Sequence, residues 1–317
     1  MMPFRLAPAY KPYIWGGTRL IEQYGKQTDL PILAESWELS AHKNGDCIVA
    51  VGPFPGVPFS QLIKAHPEIT GKADANEFPI LIKLIDARQN LSVQVHPDDA
   101  YAQRCGQKNG KTEMWVVLEA EPGASLYCGF KQRISLREFR QHIEDGSLMN
   151  VLKRIAVKEG DIVFIPAGTI HAIGAGLVIA EIQQSSDLTY RVYDYGRLDS
   201  SGSPRELHIQ KALEVTKLEP ANLTAPGARA LCRTSTFDMD RLAQCPYFTV
   251  DKIALNGRYR LEMPGKSFVS LLCTEGGAVL NCENEQFSLQ RGDSIFIPAD
   301  SPACGLCGAG VFLKTFV

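Results

Sequence analysis

Four side chains in this 317-residue chain have the types and the setting to hold a metal ion: Gln94, His96, Glu113 and His171. In the run LSVQVH (91–96), strand alternation puts Leu91, Val93 and Val95 on one face and Ser92, Gln94 and His96 on the other. In KTEMWVVL (111–118), Lys111, Glu113 and Trp115 share a strand face. His171 ends the stretch KEGDIVFIPAGTIH (158–171), which reads as a glycine turn, a short apolar strand and a Pro-Ala-Gly break. A histidine leaving a rigid β corner is oriented by its scaffold, as a metal ligand needs to be. Two imidazoles, a carboxylate and an amide oxygen suit one zinc ion, with a position left for water or substrate. Alone, each residue has an ordinary role: His96 as a turn residue before Pro97, Glu113 as a surface carboxylate. The set carries weight only if the fold makes it converge.

A second group suits an anionic substrate. Lys111 faces the same way as Glu113, and Arg191 and Arg197 follow Asp187 in the segment QQSSDLTYRVYDYGR (183–197). Arginine grips phosphate or carboxylate as a bidentate fork, lysine as a point charge. Solvated surface charge is the ordinary reading of such residues, but 181–191 mixes polar and apolar side chains as the wall of a site does. His42, His66 and His142 sit among polar residues and read as solvated, and His208, at a helix start, reads as packing there or touching the edge of the site.

Short strands and turns must position these groups. FPILIKLIDA (78–87), apolar apart from Lys83 and Asp86, reads as an interior strand, and 177–182 as another. Ser135 and Glu138 form a capping box that opens a helix. A second short helix is expected around Leu148, Val151, Leu152 and Ile155, a third over 208–215, and a linker over 216–235. The chain also repeats itself. GDIVFIPA (160–167) and GDSIFIPA (292–299) agree at six of eight positions at an offset of 132, and VVLEAEPGASLY (116–127) resembles SLLCTEGGAVLN (270–281). Strand, glycine turn, strand, then Gly-Asp, strand and Ile-Pro-Ala is the signature of a cupin, a small double-sheet jelly roll. The expected fold is mainly β: tandem cupin (double-stranded β-helix or jelly-roll) domains with a few short helices. A catalytic, metal-binding domain is expected over 1–235 and a smaller cupin over 236–317. In the second copy Ala303 stands in the place of His171, and Ser267 or Phe268 in that of Glu113, so it is expected to carry no metal set.

Composition removes other classes. Lys plus Arg is 33 against 35 for Asp plus Glu, a net charge of −2 that makes no electrostatic case for nucleic acid or an acidic membrane. No apolar run is long enough to span a bilayer, and the Met1-Met2-Pro3 opening lacks signal-peptide features, so a cytoplasmic location is expected. Nine scattered cysteines are unlike a disulfide framework. The Cys304-x-x-Cys307 spacing has no second pair, so buried reduced thiols are expected.

QVHPDD (94–99), GKTEMW (110–115), IPAGTIHAIG (165–174) and the segment 183–197, with IWGG (14–17) and ESWELS (35–40), resemble type I phosphomannose isomerases of the short bacterial form. The resemblance covers most of the chain. It implies zinc ligation by Gln94, His96, Glu113 and His171, an active-site arginine at Arg191 and substrate contact by Lys111. The implied reaction interconverts mannose 6-phosphate and fructose 6-phosphate through an enediolate, with zinc as Lewis acid. Asp187, Lys111 and a zinc-bound water are the candidates for general base. Arg191 is expected to stabilise the enediolate rather than hold the phosphate, and Arg197 is a further candidate for substrate binding. A different metal cupin enzyme, such as an iron oxygenase or an epimerase, is the first alternative; Gln94 as fourth ligand argues against it. A sugar-phosphate-binding protein without turnover is the second, and the intact metal set argues against that.

Overall fold

Strand alternation sorts the buried side chains of the first part of the chain onto two sheets in the computed structural model, which describes residues 1–73, 77–198 and 202–317. One sheet runs in the order Ile162–Ile165, Glu113–Ala120, Leu177–Gln184, Ile80–Ala87, Glu35–Leu39 and Ala9–Lys11. The other runs Leu152–Ala156, Ser125–Phe130, His171–Ile173, Val93–Val95 and Tyr190–Tyr193. Leu177–Gln184 is buried along its whole length and serves two cores at once. Leu177 and Ile179 pack between the sheets, whereas Val178, Ala180 and Ile182 pack on the opposite face. The same split separates Trp115 and Val117 from Met114 and Val116, and Ile85 from Ile82 and Leu84. By that alternation Glu113, Glu181 and Lys83 also face inward. The inner layer is thus apolar at one end and charged at the other.

The outer face of the five-stranded sheet is sealed by helices. Val93, Val95, Ala172, Tyr190 and Val192 pack with Phe139 of helix Leu136–Glu144 and with Ala212 and Leu213 of helix Ile209–Val215. Gln94, His171 and Arg191 are left to the inner side. The expected capping box is present: the Ser135 N–H donates to the Glu138 carboxylate (2.7 Å), and the Glu138 N–H donates to the Ser135 hydroxyl (3.2 Å).

The rest of the chain forms a seven-stranded sheet with its own core, including Ile253, Leu271, Leu280 and Phe312. The repeated Gly-Asp corner makes the same bonds in both copies. The Gly160 N–H donates to the Val117 carbonyl and the Val117 N–H to the Asp161 carbonyl; Gly292, Cys273 and Asp293 repeat the pattern, all four bonds at 2.9 Å. Both glycines hold a positive φ, 85° and 90°, which side chains with a Cβ rarely adopt.

Four expectations are corrected. Ile165 pairs with Glu113 and Ile297 with Val269, so Val269, not Ser267 or Phe268, occupies the place of Glu113. The segment between hairpin and corner differs in length, and ladder register rather than sequence offset decides equivalence. The expected helix near Leu148 is a 3-10 turn, Leu148–Asn150, followed by strand Leu152–Ala156, because the edge of Ser125–Phe130 offers backbone partners there. The expected linker contains strand Arg229–Arg233, which pairs with Phe237–Gln244 and so belongs to the second sheet. Cys282 and Cys304 face each other across adjacent strands and form a disulfide, whereas Cys307 is free. No helix among the described residues is long and apolar enough to cross a membrane.

The two units share one apolar core. Phe4 and Phe296 exchange backbone hydrogen bonds of 3.0 and 2.9 Å, and their rings lie 5.1 Å apart. Phe59 and Phe268 pack on Phe296 at 5.1 and 5.2 Å, and Phe78 packs on Phe268 at 4.9 Å. Removing Phe296, 1% exposed, should leave a cavity that collapse cannot fill. Phe296→Ala is predicted to cost about 3–5 kcal/mol, read as a lower urea midpoint by the fluorescence of Trp15, Trp37 and Trp115, all in the first unit. A loss below about 1 kcal/mol would show that the aromatic seam does not couple the units.

Candidate active site

Strand Val93–Val95 lies between His171–Ile173 and Tyr190–Tyr193, and its register puts Gln94 opposite both His171 and Arg191. Glu113 opens its strand on the facing sheet, opposite Gln183. His96 follows at the strand end. The ligand atoms of His96, Glu113 and His171 lie within 4.8 Å of one another, all buried. The two Glu113 oxygens lie 3.5 Å from His96 Nε2 and 3.4 Å from His171 Nε2. Each imidazole turns Nδ1 to a backbone carbonyl, His96 to Leu188 (2.7 Å) and His171 to Thr169 (2.8 Å). That pairing places the proton on Nδ1 and aims the Nε2 lone pair at the common centre. The rings of Trp115 and His171 pack at 77° with centroids 5.4 Å apart, which limits rotation of the imidazole.

Glu113 Oε1 and His171 Nε2 are buried with no hydrogen-bond partner among the described residues. An orphaned buried polar atom costs about 1–3 kcal/mol, a penalty that a cation at the centre removes. The donor set therefore fits a divalent metal. Gln94 is half-buried on the same face and lines the adjoining cavity.

Buried charges of alternating sign lead away from this centre. Lys111 Nζ lies 2.6 Å from Glu113, 3.1 Å from His96 Nε2 and 3.9 Å from Glu181. Lys83 Nζ lies 3.0 Å from Glu181 and 3.6 Å from Glu35. Trp115 Nε1 donates to Glu181 (2.9 Å) and Trp37 Nε1 to Glu35 (2.7 Å). Burial pushes Glu113 up to about 7, against the pull of Lys111. Burial would also raise Glu181, but Lys111 and Lys83 outweigh it and hold that carboxyl at about 2. Burial disfavours the Lys83 ammonium, yet Glu181 and Glu35 keep it above the ordinary lysine value. Burial takes His171 down to about 4, and burial with Lys111 takes His96 well below its usual value, so both imidazoles are neutral. The approach of Lys111 depends on Gly110, where a Cβ would lie 2.5 Å from the Asp98 backbone. Without one, the Lys111 N–H reaches the Pro97 carbonyl at 3.0 Å.

A cavity of about 470 Å³ opens beside the centre. Gln94, Lys111, Asp187 and Arg191 line it, as do Lys83, Glu181, Glu35, Trp37 and Arg205. Asp187, 41% exposed, accepts from Asn44 Nδ2 (2.6 Å) and lies 3.7 Å from His42 Nε2. His42, expected to be solvated, is thus half-buried against a site residue. Arg191 Nη1 donates to the Glu206 carbonyl (2.8 Å), and its buried Nε has no partner among the described residues. Arg197 is not on the cavity wall; it donates to the Asn90 carbonyl (2.6 Å) and to Asp194 (2.5 Å). Reasoning from sequence missed Glu35, Lys83, Glu181 and Arg205. Lone charges in apolar strands mark Lys83 and Glu181, and the ESWELS alternation marks Glu35, but Arg205 sits in a loop with no such signal.

Below pH 7 a metal ion must displace the proton on Glu113. Metal affinity is therefore predicted to fall by up to about tenfold per pH unit as the pH drops below 7, measured by chelator competition. An affinity that stays flat across that range would contradict the assignment of Glu113 as a ligand. His171→Ala should abolish metal retention after gel filtration.

Residues 3–132 match the family model described as phosphomannose isomerase type I, catalytic domain, and residues 238–317 match that of the mannose-6-phosphate isomerase cupin domain. A mannose-6-phosphate isomerase of Streptococcus mutans is 39% identical over 90% of this chain and 89% of its own length. The crystal structure of the mannose 6-phosphate isomerase from Bacillus subtilis matches with a TM-score of 0.94 and 35% identity over 100% of both chains. A mannose 6-phosphate isomerase bound with zinc and yttrium shares the fold, with a TM-score of 0.77 and 20% identity over 100% of this chain and 99% of that one. With its cupin β fold, the chain belongs to the type I phosphomannose isomerases, the mannose-6-phosphate isomerase family.

Proposed function

We propose that the chain interconverts mannose 6-phosphate and fructose 6-phosphate through an enediolate, with one zinc ion held by Gln94, His96, Glu113 and His171. The observation that carries this reading is the convergence of three buried ligand atoms within 4.8 Å beside a cavity lined by Lys111, Asp187 and Arg191. The nitrogen and oxygen donors and the zinc in a relative of the same fold support zinc as the metal. When bound, zinc supplies Lewis-acid polarisation of the sugar carbonyl and favours negative charge on its oxygen.

The residues of the chain divide the remaining work. Asp187 takes the proton from carbon 2 of the open-chain aldose and returns it to carbon 1, while a second proton passes from the carbon 2 hydroxyl to the carbon 1 oxygen. Asn44 and His42 hold its carboxylate at the cavity wall. The other wall carboxylates are less free to act, since Glu181 and Glu35 are each tied to Lys83 and a tryptophan. Arg191 presents a fixed cation where charge develops on the enediolate, and Lys111 contacts the sugar oxygens.

A coupled assay for fructose 6-phosphate formation, with and without chelator, tests the whole reading. Chelator-insensitive isomerisation would sink the zinc assignment, and retained binding without turnover would favour a binding module. Arg191→Ala should lower kcat by about 10²–10³-fold with little change in KM. A pure loss of affinity would refute its role at the enediolate. Asp187→Asn should lower kcat by about 10²–10⁴-fold.

A further inference from the structure

We propose that Arg205, braced by the buried carboxylate of Asp194, is the anchor for the phosphate of the substrate, an assignment that rests on the sugar-phosphate reading above. Arg205 lines the same cavity as Lys111 and Asp187, and its side chain is 20% exposed. Its Nε and Nη2 donate to the two oxygens of Asp194 at 2.7 and 2.6 Å, while Nη1 is bonded to no described residue. Asp194 is itself 5% exposed and cannot swing out to water. The fork is therefore fixed before a ligand arrives, which lowers the entropy cost of binding.

Charge balance points the same way. Arg197 and Arg205 both pair with the buried carboxylate of Asp194, and both act electrostatically on Arg191. The other carboxylate that acts on Arg191, Glu206, is 82% exposed and turned to His208 at 3.7 Å. Among the described residues, three guanidiniums thus gather round one buried carboxylate, a setting that favours an anion. A phosphate monoester, at about −1.5 to −2 at neutral pH, is an anion of that kind. Arg197 is not the anchor, since it is committed to Asn90, Asp194 and the ring of Tyr195 at 5.4 Å. Of the carboxylates on the cavity wall, Glu35 and Glu181 are tied to Lys83, and Asp187 accepts from Asn44.

Steady-state kinetics of the wild type, Arg205→Ala and Arg205→Lys test the assignment, with mannose 6-phosphate, unphosphorylated mannose and inorganic phosphate as inhibitor. Arg205→Ala should raise KM for mannose 6-phosphate about 10²-fold and lower the kcat/KM preference for the phosphorylated sugar by a similar factor. Inhibition by phosphate should weaken in parallel, and Arg205→Lys should restore part of each effect. Unchanged phosphate inhibition in Arg205→Ala, or an equal loss on both sugars, overturns the proposal. If the wild type fails to isomerise mannose 6-phosphate, the broader reading falls. Calorimetric phosphate binding to wild type and Arg205→Lys then still decides the anion site: equal binding, or none to the wild type, overturns it.

Discussion

A carboxylate with no access to solvent, Glu113, sets the terms for everything around it. A buried charge is tolerated only where opposite charge or a metal offsets the lost hydration. Lys111 answers Glu113, Glu181 answers Lys111, Lys83 answers Glu181, and Glu35 closes the line beside Trp37. The inward positions of three neighbouring strands are thereby committed to charge at one end of the barrel. Their apolar counterparts, Ile85, Val117 and Ile179, fill the other end. The same inner layer is core at its closed end and chemistry at its open one.

The scaffold itself asks for none of this. The Gly-Asp corner forms with the same four backbone bonds in the second unit, where Val269 replaces Glu113 and is wholly buried. Jelly-roll geometry is set by ladders, glycine turns and interior apolar residues, and the ligands are additions to it. What the second unit contributes to the first is surface: its Phe268 and Phe296 complete a core that the six-stranded sheet shares on its outer face.

Much of the architecture was legible in the chain because period-two alternation and Gly-Asp turns are local signals. The repeat revealed two related β units, and the alternation of 91–96 put Gln94 and His96 on one side before any fold was known. Where backbone pairing decided the outcome, local reading failed: the strands Leu152–Ala156 and Arg229–Arg233 exist because a sheet edge was available to each. The displaced equivalence of Val269 has the same origin. Within the site, residues inside strands were recoverable and those in loops were not. Lys83 and Glu181 are conspicuous charges in apolar runs, whereas Arg205 is defined only by the distant partner that holds it, Asp194. Arg197 shows the converse, since its sequence setting suggests the site and its contacts lie with the backbone and Asp194.

The backbone exchange between Phe4 and Phe296 bears on the order in which the molecule assembles. It joins residues very far apart in sequence, so its chain closure gains nothing until both partners are already placed. The second unit draws one core almost wholly from residues of its own sheet. Phe4, just before strand Arg5–Ala7, by contrast takes its backbone partner from Phe296. The unit without the ligands thus supplies the backbone partner that an early segment of the unit with them pairs to.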